Sequence, residues 1–177
     1  MDSVVARSSE MNLHNLHNEP KSLDHHDARD YLPSVAWEKY KNNPEELKKR
    51  EKMWARDPET AYWYAYNILK GQFELGEKAI AKDARYSYWY ALKVLKGQFE
   101  LGEPAIAKDT YYSYHYASCV LKNRFELGEP AIAKDARWSY HYAYYVLKGR
   151  FKLGEPAIAK DDWASREYEH KFGKIKL

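Results

Sequence analysis

A chain of 177 residues with 45% apolar side chains is long enough for one domain with a continuous core. Its 29 lysines and arginines against 26 acids leave a formal charge of +3, which argues against a strong nucleic-acid binder, because affinity for phosphate scales with the cations supplied. One cysteine, Cys119, excludes a disulfide framework and fits a reducing compartment, and the absence of an 18-residue apolar run excludes a membrane span.

Residues 1–26 are polar, rich in Asn, Ser and His, without periodicity and without the apolar stretch of a signal peptide. They read as a mobile arm on a cytoplasmic protein. His14, His17, His25 and His26 are of a type that zinc favours, but nothing around them fixes a ligand geometry, and a solvated arm is the simpler reading.

Residues 27–56 read as capping helices. Asp27 to Lys41 supplies one, with Leu32, Val35, Ala36 and Tyr40 inward. "NPEELKKREKMWARD" supplies the next, with Asn43 as N-cap, Pro44 in the first turn, acids early and bases late. Its tail "MWARD" imitates "AIAKD" of the segment that follows, so it takes the place of a preceding unit's short helix.

Residues 57–160 hold four tandem copies of a 26-residue unit, starting at Asp57, Asp83, Asp109 and Asp135; a truncated fifth opens at Asp161. Copy two reads DARYSYWYALKVLKGQFELGEPAIAK. Asp is the N-cap of a first helix of about twelve residues, and Pro58 fits its first position in copy one. Gly71, Gly97, Asn123 and Gly149 read as the left-handed stop, because Gly and Asn share tolerance for that conformation. A loop with Phe (Phe73, Phe99, Phe125, Phe151) and Leu two residues later leads to a short second helix that opens at Pro104, Pro130 or Pro156, with Lys78 at that place in copy one. Residues 161–177 start like a copy but turn charged where the core Tyr and Ala should stand, and read as the C-terminal cap.

Comparing the copies divides the first helix into two arcs. Counting Asp as position 1, positions 5, 6, 8, 9, 12 and 13 hold similar residues and cover one arc at about 100° per residue, the expected packed face. Positions 7, 10 and 11 vary and fall opposite: Trp63, Trp89, His115 and His141; Tyr66, Leu92, Ser118 and Tyr144; Asn67, Lys93, Cys119 and Tyr145. One unit cannot bury its apolar face alone, so the expected fold is all-α, an α-solenoid of four two-helix units between helical caps.

The "D…YA…VLKG…PAIAKD" cadence of residues 57–161 resembles the leucine-rich variant class of short helical repeats, which implies stacked longer and shorter helices. "KGQFELGE" departs from that class's Asn-Pro-x-Thr-Pro turn, and the cysteine cluster for an iron–sulfur centre is missing, so no cofactor is implied. The unit is also similar to arrays in tailed-phage proteins of unassigned function. That resemblance implies a phage-encoded protein acting in the host cytoplasm, where it binds and modulates or inhibits a host factor.

Candidate binding residues lie on the variable arc. Lys70, Lys96, Lys122 and Lys148 recur at position 14, with Arg85, Arg137, Arg124 and Arg150 beside them. They read either as a column meeting phosphates or an acidic protein, or as cations complementing the helix C-terminus. Trp63, Trp89, Tyr66, Tyr144 and Tyr145 read either as interface anchors or as packing between neighbouring copies. His115 and His141 stand one copy apart, about 10 Å by helix packing, too far to share a metal. No P-loop, G-x-S-x-G, C-x-x-C or H-E-x-x-H motif is present. Glu100 with Glu103 and Glu126 with Glu129 recur in the same loop, which suits helix-start electrostatics better than catalysis, and Cys119 has no neighbouring base. The expected function is a non-catalytic protein-binding module; the alternative is nucleic-acid binding through the lysine and arginine column.

Overall fold

The computed structural model describes residues 33–176. The regular structure among them is entirely helical, in a repeating pattern with first helices of about twelve residues. The N-terminal arm with its histidines, and residues 27–32 including Leu32, lie outside the described residues.

Helix α1 (Pro33–Tyr40) precedes α2 (Pro44–Trp54). The Asn43 side chain accepts the Glu46 N–H at 3.2 Å, and Pro44 occupies the first turn, as its fixed φ allows. In α1, Val35 is 42% exposed rather than inward. The stripe that meets the core is Pro33, Ala36, Trp37 and Tyr40, the i, i+3, i+4, i+7 set, and Val35 lies outside it.

Helices α3 (Pro58–Trp63), α5 (Ala84–Trp89), α7 (Thr110–His115) and α9 (Ala136–His141) open the four copies. Each aspartate caps its helix: Asp57, Asp83, Asp109 and Asp135 accept the N–H of Thr60, Tyr86, Tyr112 and Trp138 at 2.7 to 3.0 Å. Asp161 does the same for Ala164 at the start of α11 (Asp162–Phe172).

After six residues each first helix rewinds into a π-helical segment: Tyr64–Leu69, Tyr90–Leu95, Tyr116–Leu121 and Tyr142–Leu147. The position-9 carbonyl then serves the end of the helix twice. Ala91 O accepts the N–H of Lys96 and, at 3.1 Å, that of Gly97. The left-handed residues are Lys70 (φ 51°), Lys96 (54°), Lys122 (51°) and Lys148 (50°), which close the π segments, not the expected Gly71, Gly97, Asn123 and Gly149. A Cβ on Gly97 would meet nothing nearer than 3.9 Å, so neither its φ nor its space demands glycine.

The second helices are α4 (Glu74–Ile80), α6 (Glu103–Ile106), α8 (Glu129–Ile132) and α10 (Glu155–Ile158). In copies two to four a 3₁₀ turn precedes them, as at Glu100–Gly102. Pro104 has no N–H with which to close an α turn onto Glu100; Lys78 has one, and α4 starts at Glu74. The glycine in this turn is required by contact. A Cβ on Gly102 would stand 2.5 Å from the Phe99 ring and 2.7 Å from Ser87.

The copies pack in sequence, α3 on α5, α5 on α7, α7 on α9 and α9 on α11. Ala65, Ala91, Ala117 and Ala143 are fully buried, and so are Tyr64, Tyr90, Tyr116, Tyr142 and Tyr168 at position 8. Each of the last four tyrosines reaches back into the previous copy. Phe99 N–H donates to Tyr116 Oη at 2.8 Å, and Tyr116 in turn donates to Glu103 Oε1 at 3.0 Å. The same pair of bonds joins Phe73, Tyr90 and Glu77; Phe125, Tyr142 and Glu129; and Phe151, Tyr168 and Glu155. Burial holds the Tyr90, Tyr116 and Tyr142 hydroxyls well above the ordinary phenol range, so they stay protonated and can donate.

Tyr168 corrects the expectation for residues 161–177. The position-8 tyrosine is retained and buried, while positions 6 and 9 hold the charged Arg166 and Glu169 as expected, and α11 runs to Phe172 without rewinding. At the other end, Arg56 and Asp57 donate to Met53 and Trp54, as Lys82 and Asp83 donate to Ala79 and Ile80, so "MWARD" copies the close of a second helix.

Tyr116→Phe should cost about 1–3 kcal/mol, because it leaves the buried Phe99 N–H without an acceptor. Gly102→Ala should destabilise strongly, whereas Gly97→Ala should change stability by less than about 0.5 kcal/mol. Urea unfolding of the three variants checks both statements.

Candidate interaction surfaces

The position-7 line is a seam between copies, not an open face. Trp89 is only 3% exposed, which overturns its expected place on the variable arc. The rings at position 4 of copies two to four stand against position 6 of the copy before, and Trp138 also against position 7. Tyr88 meets Tyr112 at 5.7 Å, and Trp138 meets Tyr114 at 4.9 Å and His115 at 5.3 Å. Trp63 is half-buried among Tyr62 and Tyr66, and Tyr66 stacks on Tyr62 at 5.8 Å. Trp63 Nε1, Trp89 Nε1 and His141 Nδ1 are buried there without a hydrogen-bond partner.

His115 lies between Tyr111 (4.2 Å) and Trp138, and His141 between Trp138 (5.9 Å) and Trp163 (6.0 Å). Burial, assisted by the charge of His141, pushes His115 down to about 4; burial and Arg137 lower His141 as well. Both rings therefore serve as neutral packing groups at pH 7.

The seam surfaces in copy four. Tyr144 and Tyr145 are 37% and 44% exposed, beside Trp163 at 38%. Lys171 lies 5.4 Å from the Tyr144 ring centre and Arg137 5.9 Å from that of Trp163.

Lys70, Lys96, Lys122 and Lys148 are exposed and form no ion pair among the described residues. The arginines expected beside them are engaged within the chain. Arg124 grips Glu129 with both Nε (2.7 Å) and Nη2 (2.9 Å), Arg150 holds Glu155 at 2.7 Å, and Arg85 lies on the Tyr86 ring. Gln72 and Gln98 hold Glu77 and Glu103 in the earlier copies, each at 2.8 Å. Glu77, Glu103, Glu129 and Glu155 are thus the acceptors that tie loop to tyrosine, a role that helix-start electrostatics does not describe.

One surface row had not been singled out from the residue pattern. Leu75, Leu101, Leu127 and Leu153 are 53%, 51%, 54% and 53% exposed, one per copy, whereas the phenylalanine two residues before each is buried. Exposed acids Glu74, Glu100 and Glu126 precede the first three leucines, and Lys152 precedes the fourth. A cleft of about 550 Å³ runs beside Leu101, walled by Gln72 and Glu77 of copy one and Leu95 and Gln98 of copy two. The signal was present in the sequence: Leu is identical in every copy in the loop expected between the two helices, which the helical arcs left out.

Comparison with known proteins gives no match to a family model, a curated protein or a solved structure.

The lowered His115 predicts a pH effect. The unfolded chain takes up a proton near 6.5, the folded chain near 4, so the stability associated with the neutral ring is complete above 6.5 and is lost as the pH falls through that window. The Tm should drop between pH 6.5 and pH 4 more steeply in the wild type than in His115→Phe, as measured by circular dichroism melts.

Proposed function

We propose that this chain is a four-repeat α-solenoid that carries out no chemistry and binds a partner protein through the leucine row. In this reading residues 57–160 are the repeats, 27–56 and 161–177 the helical caps, and 1–26 an arm. The tyrosine bonds between successive copies and the serial packing of the first helices support the architecture.

The observation that carries the function is the half exposure of four identically placed leucines. Every other recurring large apolar position in the unit is buried or packed against the core, apart from Leu69. Covering the remaining half of each leucine is worth about 1 kcal/mol, so a surface that engages all four gains an appreciable share of a binding energy. Glu74, Glu100 and Glu126 give the row an acidic edge that favours a partner with basic residues beside its apolar ones. Resemblance to phage arrays makes a bacterial host protein the natural target, bound and inhibited by occlusion.

Tyr144 and Tyr145 extend the contact at the C-terminal end in this reading. Trp89, His115 and His141 serve the scaffold instead. The rival, nucleic-acid binding along the whole basic column, loses its arginine members Arg124 and Arg150 to carboxylates.

Leu101→Ser with Leu127→Ser should leave the Tm within about 2 °C, since both side chains already face water, and should reduce partner capture at least tenfold. The check is quantitative capture from nuclease-treated bacterial lysate by wild type, this variant and Lys122→Ala with Lys148→Ala. Undiminished capture by the leucine variant rejects the row as the contact. Capture that disappears on nuclease treatment assigns the function to the rival.

A further inference from the structure

A second cleft, separate from the leucine row, lies between copies one and two. It measures about 490 Å³ and is lined by Tyr66, Asn67, Lys70, Lys93, Val94 and Lys96. Three of the six are lysines and none is an acid. We propose that this cleft is a binding site for a phosphate-bearing anion, held by the ammonium groups of Lys70, Lys93 and Lys96.

The formal net charge is only +3, and several exposed bases are matched within the chain: Lys41 with Glu38, Lys49 with Glu46, Arg124 with Glu129 and Arg137 with Asp161. Lys70 and Lys96 have no such ion pair among the described residues. No acid lines the cleft with Lys70 and Lys96, so a bound anion of multiple charge meets cations that no carboxylate of the lining offsets.

Lys70 and Lys96 hold φ of 51° and 54°, a conformation in which a residue with a Cβ is strained and Gly or Asn is not. Glycine follows each of them at once, yet does not take the left-handed place. Neither lysine side chain makes an internal bond that compensates the strain. Lys122 and Lys148 share this conformation at 51° and 50°, so the strain belongs to the helix end of every copy, and what the cleft adds is Lys93 beside two such residues.

Lys93 lies 5.4 Å from the ring centre of Trp89, which is fixed in the core at 3% exposure. Asn67 is tied by its Nδ2 to Trp63 O at 3.2 Å. Lysine donates from a compact point charge with three rotatable N–H groups, which suits the dispersed oxygens of phosphate.

The equivalent place between copies two and three brings Lys93, Lys96 and Lys122 beside Leu92 and Cys119, and that between copies three and four only Lys122 and Lys148. The first cleft differs from both in the Tyr66 and Asn67 that stand beside its lysines. The phosphate can belong to a free oligophosphate or to a nucleic-acid backbone, and two probes distinguish these sources.

The test uses the full chain with inorganic triphosphate and, separately, a 12-nucleotide oligothymidylate, each titrated at two salt concentrations by calorimetry. At least one probe should bind, with Lys93→Gln and Lys96→Gln each weakening it tenfold or more. Lys122→Gln and Lys148→Gln should change affinity less than twofold. If the oligonucleotide is the better ligand, log K should fall with log salt with a slope of about −2, the value for three lysines on a single strand. If triphosphate alone binds, the source is a free oligophosphate. Lys96→Gly keeps the fold in view: it relieves the strained residue, so the Tm should hold or rise while affinity falls. The proposal is overturned if neither probe binds more tightly than to a Lys70→Gln, Lys93→Gln, Lys96→Gln triple variant. Equal losses from Lys122→Gln and Lys96→Gln also overturn it, because they mark a diffuse column. The leucine reading stands or falls apart from this result, since Leu101→Ser with Leu127→Ser should bind both probes as wild type does.

Discussion

A tyrosine hydroxyl joins each copy to the one before it. In Phe99, Tyr116 and Glu103 the hydroxyl accepts a loop N–H and donates to a carboxylate, so one buried atom satisfies both a backbone donor and an acid. Phenylalanine would pack equally well at position 8 and would leave both partners without their bond. The loop N–H in question follows the end of the π segment, where the helix has no bond to offer it. The interaction therefore decides several other residues. Phe99 must turn inward to present its N–H, Gly102 must lack a Cβ to let that ring pass, and Ser87 or Ala61 must be small on the opposite side. Tyr64 keeps only half of the arrangement, donating to Glu51 at 2.6 Å.

The carboxylate end of this bond changes along the chain. Glu129 and Glu155 are 7% and 5% exposed and are paired with Arg124 and Arg150, while the more open Glu77 and Glu103 are met by Gln72 and Gln98. Removing a carboxylate from water is costly unless a cation accompanies it, and the two buried acids are the two that have one. The Gln-to-Arg change at position 16 thus follows burial. It is also the reason that the arginines of copies three and four add nothing to the basic surface.

Much of this architecture can be read from residue type alone, because the chemistry is local. Asp caps, Pro at helix starts, the small residues at positions 5 and 9 and the 26-residue interval are each visible without coordinates. The helix end is not. Gly97 and Asn123 carry the usual signature of a left-handed stop, but the winding before them is π, and no residue type encodes a bond that spans five residues rather than four. The arcs drawn at 100° per residue then lose phase after position 8; at position 13 Leu69 is 38% exposed, while Leu95, Leu121 and Leu147 still pack against the core. Trp89 was misplaced for a different reason. A helical wheel describes one copy, and the ring that buries Trp89's neighbourhood comes from position 4 of the next.

The same rewinding shapes the two candidate surfaces. Under π winding Val94, Leu95 and Lys96 diverge: Leu95 borders the cleft beside Leu101, whereas Val94 and Lys96 border the cleft that holds Lys70 and Lys93. Adjacent residues of one helix end therefore serve surfaces of opposite character, one apolar with an acidic edge and one cationic. Because the tyrosine bond fixes the loop that leaves this end, the spacing within both surfaces is set by the core. A ligand on either one meets side chains whose backbone is already in place, which reduces the ordering that binding has to impose.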